Sequence, residues 1–244
     1  MITTCNINPD DYETMALDIE LMLERAGCSR TDDVVWDPFF GSGFATRYMR
    51  HLGFRVYESG GRQDFFALSA PPRGVTVVVS NPPFSHKQRV LKRLVEWRIR
   101  FCLLLPSDVL QRDYFFDTVR MGAARCGADR FEVWLPNKTI RFHYENGVVQ
   151  PLARFKSSFF VYFPGVVAVD GVAVGGEEVE DAAAEATDGA TTNAVPPAPR
   201  EDLLRNLVKV YLFDYAQRMS TREEAAKQIH TSGPLIGQKR SRPY

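Results

Sequence analysis

Two short apolar runs, each followed at once by a turn of distinctive composition, constrain the fold of this chain most. The first run occupies residues 34–36 (VVW) and leads into residues 37–43 (DPFFGSG). The second occupies residues 75–79 and leads through Ser80 into residues 81–84 (NPPF). Apolar runs of this length, rich in β-branched residues, predict buried strands. In this order along the chain, the two turns together form a specific signal.

Helical and strand patterns alternate along the rest of the first 165 residues. This alternation predicts an α/β fold with a doubly wound, mostly parallel sheet and helices on both faces. The last two strands have no obvious helix between them, so the sequence predicts an antiparallel pair at the sheet edge. The predicted strands are residues 34–36, 55–57, 75–80, 101–105, 131–135 (with an extension at 139–143) and 157–163, and the predicted helices are 11–26, 45–52 and 88–96.

Composition divides the chain of 244 residues into four parts. Residues 1–165 form the predicted α/β domain. Residues 166–200 carry seven acidic residues and one basic residue, have no aromatic residue, and are predicted to be a disordered insertion. Apolar residues at helical spacing predict a helix within residues 201–231 that packs on the domain. Residues 232–244 are predicted to be a flexible basic tail.

Several classes of protein are disfavoured by composition. The sequence contains no run of about 18 apolar residues and no signal-peptide or transit pattern at its N-terminus, so we expect an intracellular protein, cytoplasmic or nuclear, without a membrane association. Its four cysteines form no CxxC pair, which argues against a zinc site or a disulfide framework. No metal is expected.

The turn after the first strand favours a particular class of ligand. Gly41 and Gly43 permit backbone conformations and close approaches that a Cβ would block. Their spacing is neither the dinucleotide fingerprint nor a phosphate-binding P-loop. A ligand with a bulky uncharged or cationic centre therefore fits this turn better than a pyrophosphate does.

Residues after the second strand offer contacts for a nucleoside. Glu58 follows that strand directly, where a carboxylate can accept both hydroxyls of a ribose; a solvated strand end is the alternative. Asp64 and the adjacent Phe65 could hold the edge and face of an adenine. Two adjacent aromatics, Phe65 and Phe66, are also typical of a core.

The NPPF loop, residues 81–84, has a chemical interpretation. The exocyclic amine of adenine is a poor nucleophile because its lone pair is delocalised into the ring. If the side-chain oxygen of Asn81 and the carbonyl of Pro82 accept its two hydrogens, the nitrogen can pyramidalise and attack. Pro82 and Pro83 would keep the loop rigid. Phe84 would offer a face to an unstacked base. A simple rigid turn is the alternative.

Together, residues 37–43 and 81–84 resemble the motifs of the class I S-adenosylmethionine-dependent amino-methyltransferases, in particular the N6-adenine branch. The resemblance covers roughly residues 11–164. It implies a seven-stranded Rossmann-like sheet with a reversed final hairpin and direct methyl transfer without a metal or a covalent intermediate. It also implies catalytic roles for the NPPF loop and cofactor contacts for Asp37, Phe39, Gly41, Gly43, Glu58, Asp64 and Phe65.

The substrate class stays open at this point. Motifs of this kind serve adenine in DNA or RNA and also the side-chain amide of glutamine in proteins. Lys87, Arg89 and Arg93 lie just after the NPPF loop and could contact phosphates, although a solvated helix face is the alternative. Because no second ordered segment is evident for reading a DNA sequence, RNA is slightly favoured, and recognition could also come from a partner protein. The other alternative is a non-catalytic binding or assembly module.

Overall fold

The computed structural model describes residues 13–59, 63–126, 129–143, 155–165 and 208–215. Sixteen elements lie in these ranges, of which three are short 3-10 turns. The strands are β1 (Glu13–Thr14), β2 (Val34–Trp36), β3 (Arg55–Tyr57), β4 (Val77–Ser80), β5 (Arg100–Pro106), β6 (Arg130–Pro136), β7 (Phe142–His143), β8 (Ser157–Phe163) and β9 (Val208–Phe213). The helices are α1 (Ala16–Arg25), α2 (Phe44–His51), α3 (Lys87–Glu96) and α4 (Asp113–Cys126).

Seven of the strands form one sheet in the order β3-β2-β4-β5-β8-β6-β9. Neighbouring strands are parallel except that β8 runs antiparallel to both β5 and β6. The predicted doubly wound, mostly parallel Rossmann-like fold with an antiparallel terminal pair is therefore confirmed. The remaining strands, β1 and β7, pair with each other in a separate two-stranded sheet.

The two faces of the sheet bury two different sets of helices. Val77 and Val79 of β4 pack with Met22 of α1 and Met49 of α2. Val78, which lies between them, belongs instead to the cluster that contains residues of α3 and α4. Because successive side chains of a strand point to opposite faces, a continuous apolar run such as 77–79 is what a strand covered on both sides requires.

The prediction for residues 201–231 is wrong where the structure describes them, since residues 208–213 form the strand β9 and not a helix. β9 pairs in parallel with β6 along its whole length, and the ring of Tyr211 stacks on that of Trp134 with centroids 4.1 Å apart. The run VKVYLF is rich in β-branched and aromatic residues, and pairing with β6 decides its conformation. Residues 166–200 and the tail 232–244 lie outside the described residues.

Smaller differences concern the limits of elements and one helix that was not predicted. The first helix begins at Ala16, because residues 13–14 pair with 142–143. For the same reason the predicted extension at 139–143 does not join the main sheet. The helix α4 was not predicted from the sequence. Its signal was the helical spacing of Phe115, Phe116 and Val119, all of which are buried.

Candidate active site

The strand order creates a crevice between β2 and β4. The chain leaves β2 towards β3 on one side, whereas it leaves β4 towards β5 on the other. In open α/β sheets, ligands bind outside the carboxyl ends of the strands at such a switch point. Residues 37–43, the glycine turn, follow β2, and the NPPF loop follows β4. The fold therefore brings the two sequence motifs to the two sides of one crevice.

A pocket of about 480 Å³, including the space at its open mouth, occupies this crevice. Both motifs contribute to its wall, as does the helix α1. The lining residues are Thr14, Ile19, Met22, Asp37, Phe39, Phe40, Gly41, Phe44, Ala45, Met49, Val79, Ser80 and Asn81.

Asp37 is the buried charged group of this pocket, with 6% of its surface exposed. Its Oδ1 accepts hydrogen bonds from the Ser80 hydroxyl at 2.6 Å and from the backbone N–H of Phe39 at 3.2 Å. Burial raises the pKa of the Asp37 carboxyl to about 7, although both hydrogen bonds act in the opposite direction. A carboxyl group in such a place gains most from a positively charged ligand.

The glycine turn has the conformation that its sequence predicts. Gly41 and Gly43 have φ values of 49° and 76°, a left-handed region that other residues rarely adopt. At Gly43 a Cβ would also lie 2.4 Å from a ring carbon of Phe40. Phe39 packs against Phe65 at a centroid distance of 5.1 Å. The turn therefore depends on glycine at position 43 for both conformation and space.

In the NPPF loop, Asn81 is half-buried and lines the pocket, and Pro82 is buried next to it. Phe84 differs from the expectation that it offers an open face. Only 8% of its surface is exposed, and its ring lies edge-on to Phe142 and Phe155, at centroid distances of 6.4 and 5.1 Å. The apolar ring gains by packing there, and it does not offer the open face that was expected.

Four of the predicted cofactor contacts are not among the pocket-lining residues: Gly43 of the glycine turn, Glu58, Asp64 and Phe65. Glu58 is exposed at the end of β3 and forms an ion pair with Arg50, which lowers the pKa of the glutamate. Asp64 caps a short 3-10 turn by accepting a hydrogen bond from the N–H of Phe66 at 2.8 Å. Phe65 is buried in the core beside Trp36 and Trp97. The core interpretation of Phe65 is thus the one the packing supports.

The three predicted substrate-binding cations have different environments. The Nζ of Lys87 donates to the carbonyl of Phe84 at 3.1 Å, next to the NPPF loop. Arg89 is exposed, with its guanidinium over the ring of Phe66. Arg93 donates to the carbonyls of Phe65, Phe66 and Leu68, so its guanidinium braces the turn that follows β3. Lys87 and Arg89 are therefore better placed than Arg93 to contact a substrate.

Two parts of the pocket wall were not predicted from the sequence. One comes from β1 and α1, and the other is Ser80. Thr14 comes from β1, whereas Ile19 and Met22 come from α1, where their helical spacing indicated only a buried face. Ser80 ends the apolar run of β4, and a polar residue at the carboxyl end of a predicted strand was the available signal. Within the described ranges, no group of three or more His, Cys, Asp or Glu residues is placed to hold a metal ion. No helix there is long and apolar enough to cross a membrane.

The sequence matches no protein-family model and no curated protein. Among solved structures, the chain is similar to the 23S rRNA methyltransferase ErmE, with 14% identity over 62% of this chain and 68% of that one and a TM-score of 0.40. It is also similar to a candidate class I S-adenosylmethionine-dependent methyltransferase from Listeria monocytogenes, with 12% identity over 93% and 73% of the two chains and a TM-score of 0.44. With TM-scores below 0.5, neither similarity identifies what this protein does.

Proposed function

We propose that the protein is an S-adenosylmethionine-dependent methyltransferase that acts on the exocyclic N6 amine of adenine in a nucleic acid. One observation carries the proposal: Asp37 and Asn81, from motifs far apart in the sequence, line the same pocket at the switch point of the sheet. One of these residues suits a cationic ligand, and the other suits an amine that needs hydrogen-bond acceptors.

The described residues fit S-adenosylmethionine at the glycine-turn side of the pocket. The ligand carries a positively charged sulfonium and ammonium group, and Asp37 is a buried carboxyl beside which a cation would be stabilised. Gly41 lines the same wall, where its lack of a side chain permits a close approach to the backbone. When bound, S-adenosylmethionine supplies an electrophilic methyl group. Phe39, which also lines the pocket, would give the cofactor an apolar contact.

On the other side, the NPPF loop would hold the target amine. The side-chain oxygen of Asn81 and the backbone carbonyl of Pro82 would accept its two hydrogens and so favour the pyramidal nitrogen that attacks. Pro82 and Pro83 restrict the backbone of the loop, which keeps these acceptors aimed in one direction. Phe84 would support the base once its ring is accessible. In this proposal Glu58 and Asp64 contact the outer part of the cofactor, its ribose and adenine, at the mouth of the crevice.

RNA is proposed ahead of DNA because the sequence shows no second ordered segment that could read a DNA sequence. The cations beside the NPPF loop support a polyanionic substrate, since Lys87 is fixed next to the loop and Arg89, two residues later, is exposed. Protein glutamine methylation and a non-catalytic binding role are the alternatives.

Incubation with methyl-labelled S-adenosylmethionine and a cell extract tests the proposal. Nuclease or protease digestion then assigns the label to RNA, DNA or protein. We expect label in N6-methyladenine that is lost in Asn81→Ala, while the exposed Lys92→Ala variant retains it. Label in glutamine would instead establish a protein methyltransferase. If the wild type incorporates no more label than Asn81→Ala does, the protein is not a self-sufficient enzyme.

A further inference from the structure

We propose that Phe66, His86 and Arg89, here called the Arg89 cluster, form a platform on which a nucleobase next to the target adenine stacks. This inference rests on the proposed function, because it assigns a second contact to the same nucleic-acid substrate. It concerns residues outside the pocket itself, on the surface that adjoins the NPPF loop.

The Arg89 cluster consists of one cation and two rings that contact one another. The guanidinium carbon of Arg89 lies 4.1 Å from the centroid of the Phe66 ring. The ring of His86 meets that of Phe66 nearly edge-on, with centroids 5.3 Å apart and an interplanar angle of 74°. Arg89 and His86 are exposed, whereas Phe66 is half-buried beneath them. One side of the guanidinium therefore packs on Phe66 while the residue remains open to solvent.

Hydrogen bonds fix the position of Phe66, so its ring can support such a platform. Its backbone N–H donates to Asp64 Oδ1 at 2.8 Å, and its carbonyl accepts from Arg93 at 2.7 Å. Arg93 also donates to the carbonyl of Leu68 at 3.0 Å. These bonds attach the turn after β3 to α3, so Phe66 and Arg89 are positioned relative to each other before any ligand arrives. Preorganisation of this kind lowers the entropic cost of binding.

The Arg89 cluster adjoins the proposed active site at two places, at Phe39 and at the NPPF loop. Phe39, which lines the pocket, packs against Phe66 with centroids 6.4 Å apart. His86 follows Phe84, the last residue of the NPPF loop, by two positions, and Arg89 lies at the start of α3. A nucleic-acid strand whose target adenine enters at the NPPF loop would therefore bring the neighbouring nucleotide near this surface.

The cluster combines a cation with two aromatic rings, which suits a base as its main ligand, since a phosphate would use the charge alone. No carboxylate of the described residues forms an ion pair with Arg89, whereas the nearby Lys92 pairs with Glu96 at 3.8 Å. A guanidinium is planar, and single-stranded bases stack on exposed guanidinium groups and aromatic rings. Lysine has the same charge but no plane. This difference makes the proposal testable at one position.

The test measures binding of a fluorescein-labelled single-stranded oligoadenylate by anisotropy, over a series of salt concentrations. We expect Arg89→Lys and Arg89→Ala to weaken binding by about tenfold, the usual scale for loss of one stacked base. Arg89→Lys should keep the wild-type salt slope, because the charge is retained. Lys92→Ala, a charge removal on the same helix, should change affinity less than about twofold. Wild-type affinity in Arg89→Lys would overturn the inference.

A second variant and a modified probe test the two partners of the stack, the aromatic ring and the base, separately. Phe66→Leu keeps an apolar side chain but removes the ring, and we expect the same loss of affinity. An oligonucleotide series with a single abasic position, moved along the strand, should contain one member that binds wild type and Arg89→Lys equally. Absence of any such member would contradict a stacked base.

Cofactor binding and methyl transfer separate this inference from the proposed function. We expect the affinity for S-adenosylmethionine, measured by calorimetry, to be unchanged in Arg89→Lys. A loss confined to the cofactor would overturn the inference and assign the cluster to the cofactor adenine. Methylation of nucleic acid by the wild type with no effect of Arg89→Lys would refute the inference alone. A wild type that neither binds nor methylates nucleic acid would refute the proposed function and the inference together.

Discussion

The hydroxyl of Ser80 donates a hydrogen bond of 2.6 Å to Oδ1 of Asp37, and so joins the carboxyl ends of β2 and β4 inside the pocket. This bond connects the two motifs physically, because Ser80 directly precedes the NPPF loop and Asp37 begins the glycine turn. The ionised form of Asp37 depends on such donors, since burial opposes its charge.

Replacing Ser80 tests that connection. We expect Ser80→Ala to weaken the binding of S-adenosylmethionine roughly tenfold at pH 7, because a hydrogen bond to a charged group contributes about 1.5–3 kcal/mol. Isothermal titration calorimetry measures the change. Ser69→Ala is a suitable control, since Ser69 is exposed and its backbone carbonyl accepts from Trp97. Undiminished affinity in Ser80→Ala would show that this hydroxyl does not support the ligand-binding form of Asp37.

The pocket should bind a cationic cofactor better at higher pH. Burial raises the pKa of Asp37 to about 7, so the carboxyl is mostly protonated at pH 6 and mostly ionised at pH 8. A cation is attracted only to the ionised form, and we expect the affinity for S-adenosylmethionine to rise roughly tenfold over this interval. Asp37→Asn should bind weakly and lack this rise. The same pH profile in Asp37→Asn would assign the titration to another group.

Gly43 and Gly74 form a natural pair of comparisons. Both have positive φ, 76° and 86°, but a Cβ would collide with Phe40 at Gly43 and meets nothing within 4 Å at Gly74. Gly74→Ala should lower the free energy of unfolding by about 1–2 kcal/mol, the cost of the left-handed conformation. Gly43→Ala should lower it further and also reduce cofactor affinity. Urea denaturation gives both values, and equal losses would mean that Phe40 moves aside freely.

Asp18 should make the protein less stable as pH rises. The carboxyl of this α1 residue is fully buried, its Oδ1 accepts from the hydroxyl of Tyr215 at 2.7 Å, and burial raises its pKa from 3.8 to about 7. Between these two pH values the folded state binds more protons than the unfolded state, so the free energy of unfolding falls as pH increases. We expect Asp18→Asn to be more stable than the wild type by a few kcal/mol at pH 8 and about equally stable near pH 4.

The control for Asp18→Asn is Asp117→Asn, which removes an exposed carboxylate paired with Arg120. It should change the free energy of unfolding by less than about 1 kcal/mol at either pH. Denaturant titrations at pH 4 and pH 8 provide the comparison. A stability difference for Asp18→Asn that does not depend on pH would show that Asp18 does not titrate in this interval.

Tyr215→Phe tests the other end of the same contact. The variant removes the hydroxyl donor while the ring remains packed, and we expect it to lower the free energy of unfolding by about 1–3 kcal/mol at pH 8. In the Asp18→Asn background the loss should be smaller, because a neutral amide needs the donor less. Additive effects in this double-mutant cycle would mean that the two side chains do not interact energetically.

Local sequence was sufficient for the strands that carry the site. β2 has the predicted limits, because it is a short β-branched run bounded by turn residues, and β4 ends at Ser80 as predicted but begins at Val77 instead of at residue 75. Asp37, Gly41 and Asn81 were predicted as site residues, and the strand order places all three on one pocket. They lie together because the carboxyl ends of parallel strands share one edge of the sheet, and their roles in binding and catalysis stay predictions.

Predictions failed where long-range packing decides the structure. Residues 208–213 have apolar residues that fit a helix and a strand equally, and only the open edge of β6 favours the strand. The aromatic pair Phe65 and Phe66 gave no sign of which ring would enter the core. Phe65 packs between Trp36 and Trp97, both distant in sequence, and this leaves Phe66 at the surface beneath Arg89.

The position of β9 has a consequence for the order in which the chain can fold. Ribosomes release a protein from its amino terminus, so β6 emerges well before residues 208–213. Until then β6 is the outermost strand of the nascent sheet, and Trp134 lacks the ring of Tyr211 that covers it in the finished protein. A product that stops after residue 165 would contain both pocket motifs but would leave the edge of β6 unpaired, and an unpaired strand edge is prone to aggregation. Synthesis of β9 thus covers the edge of a domain whose pocket residues were made much earlier.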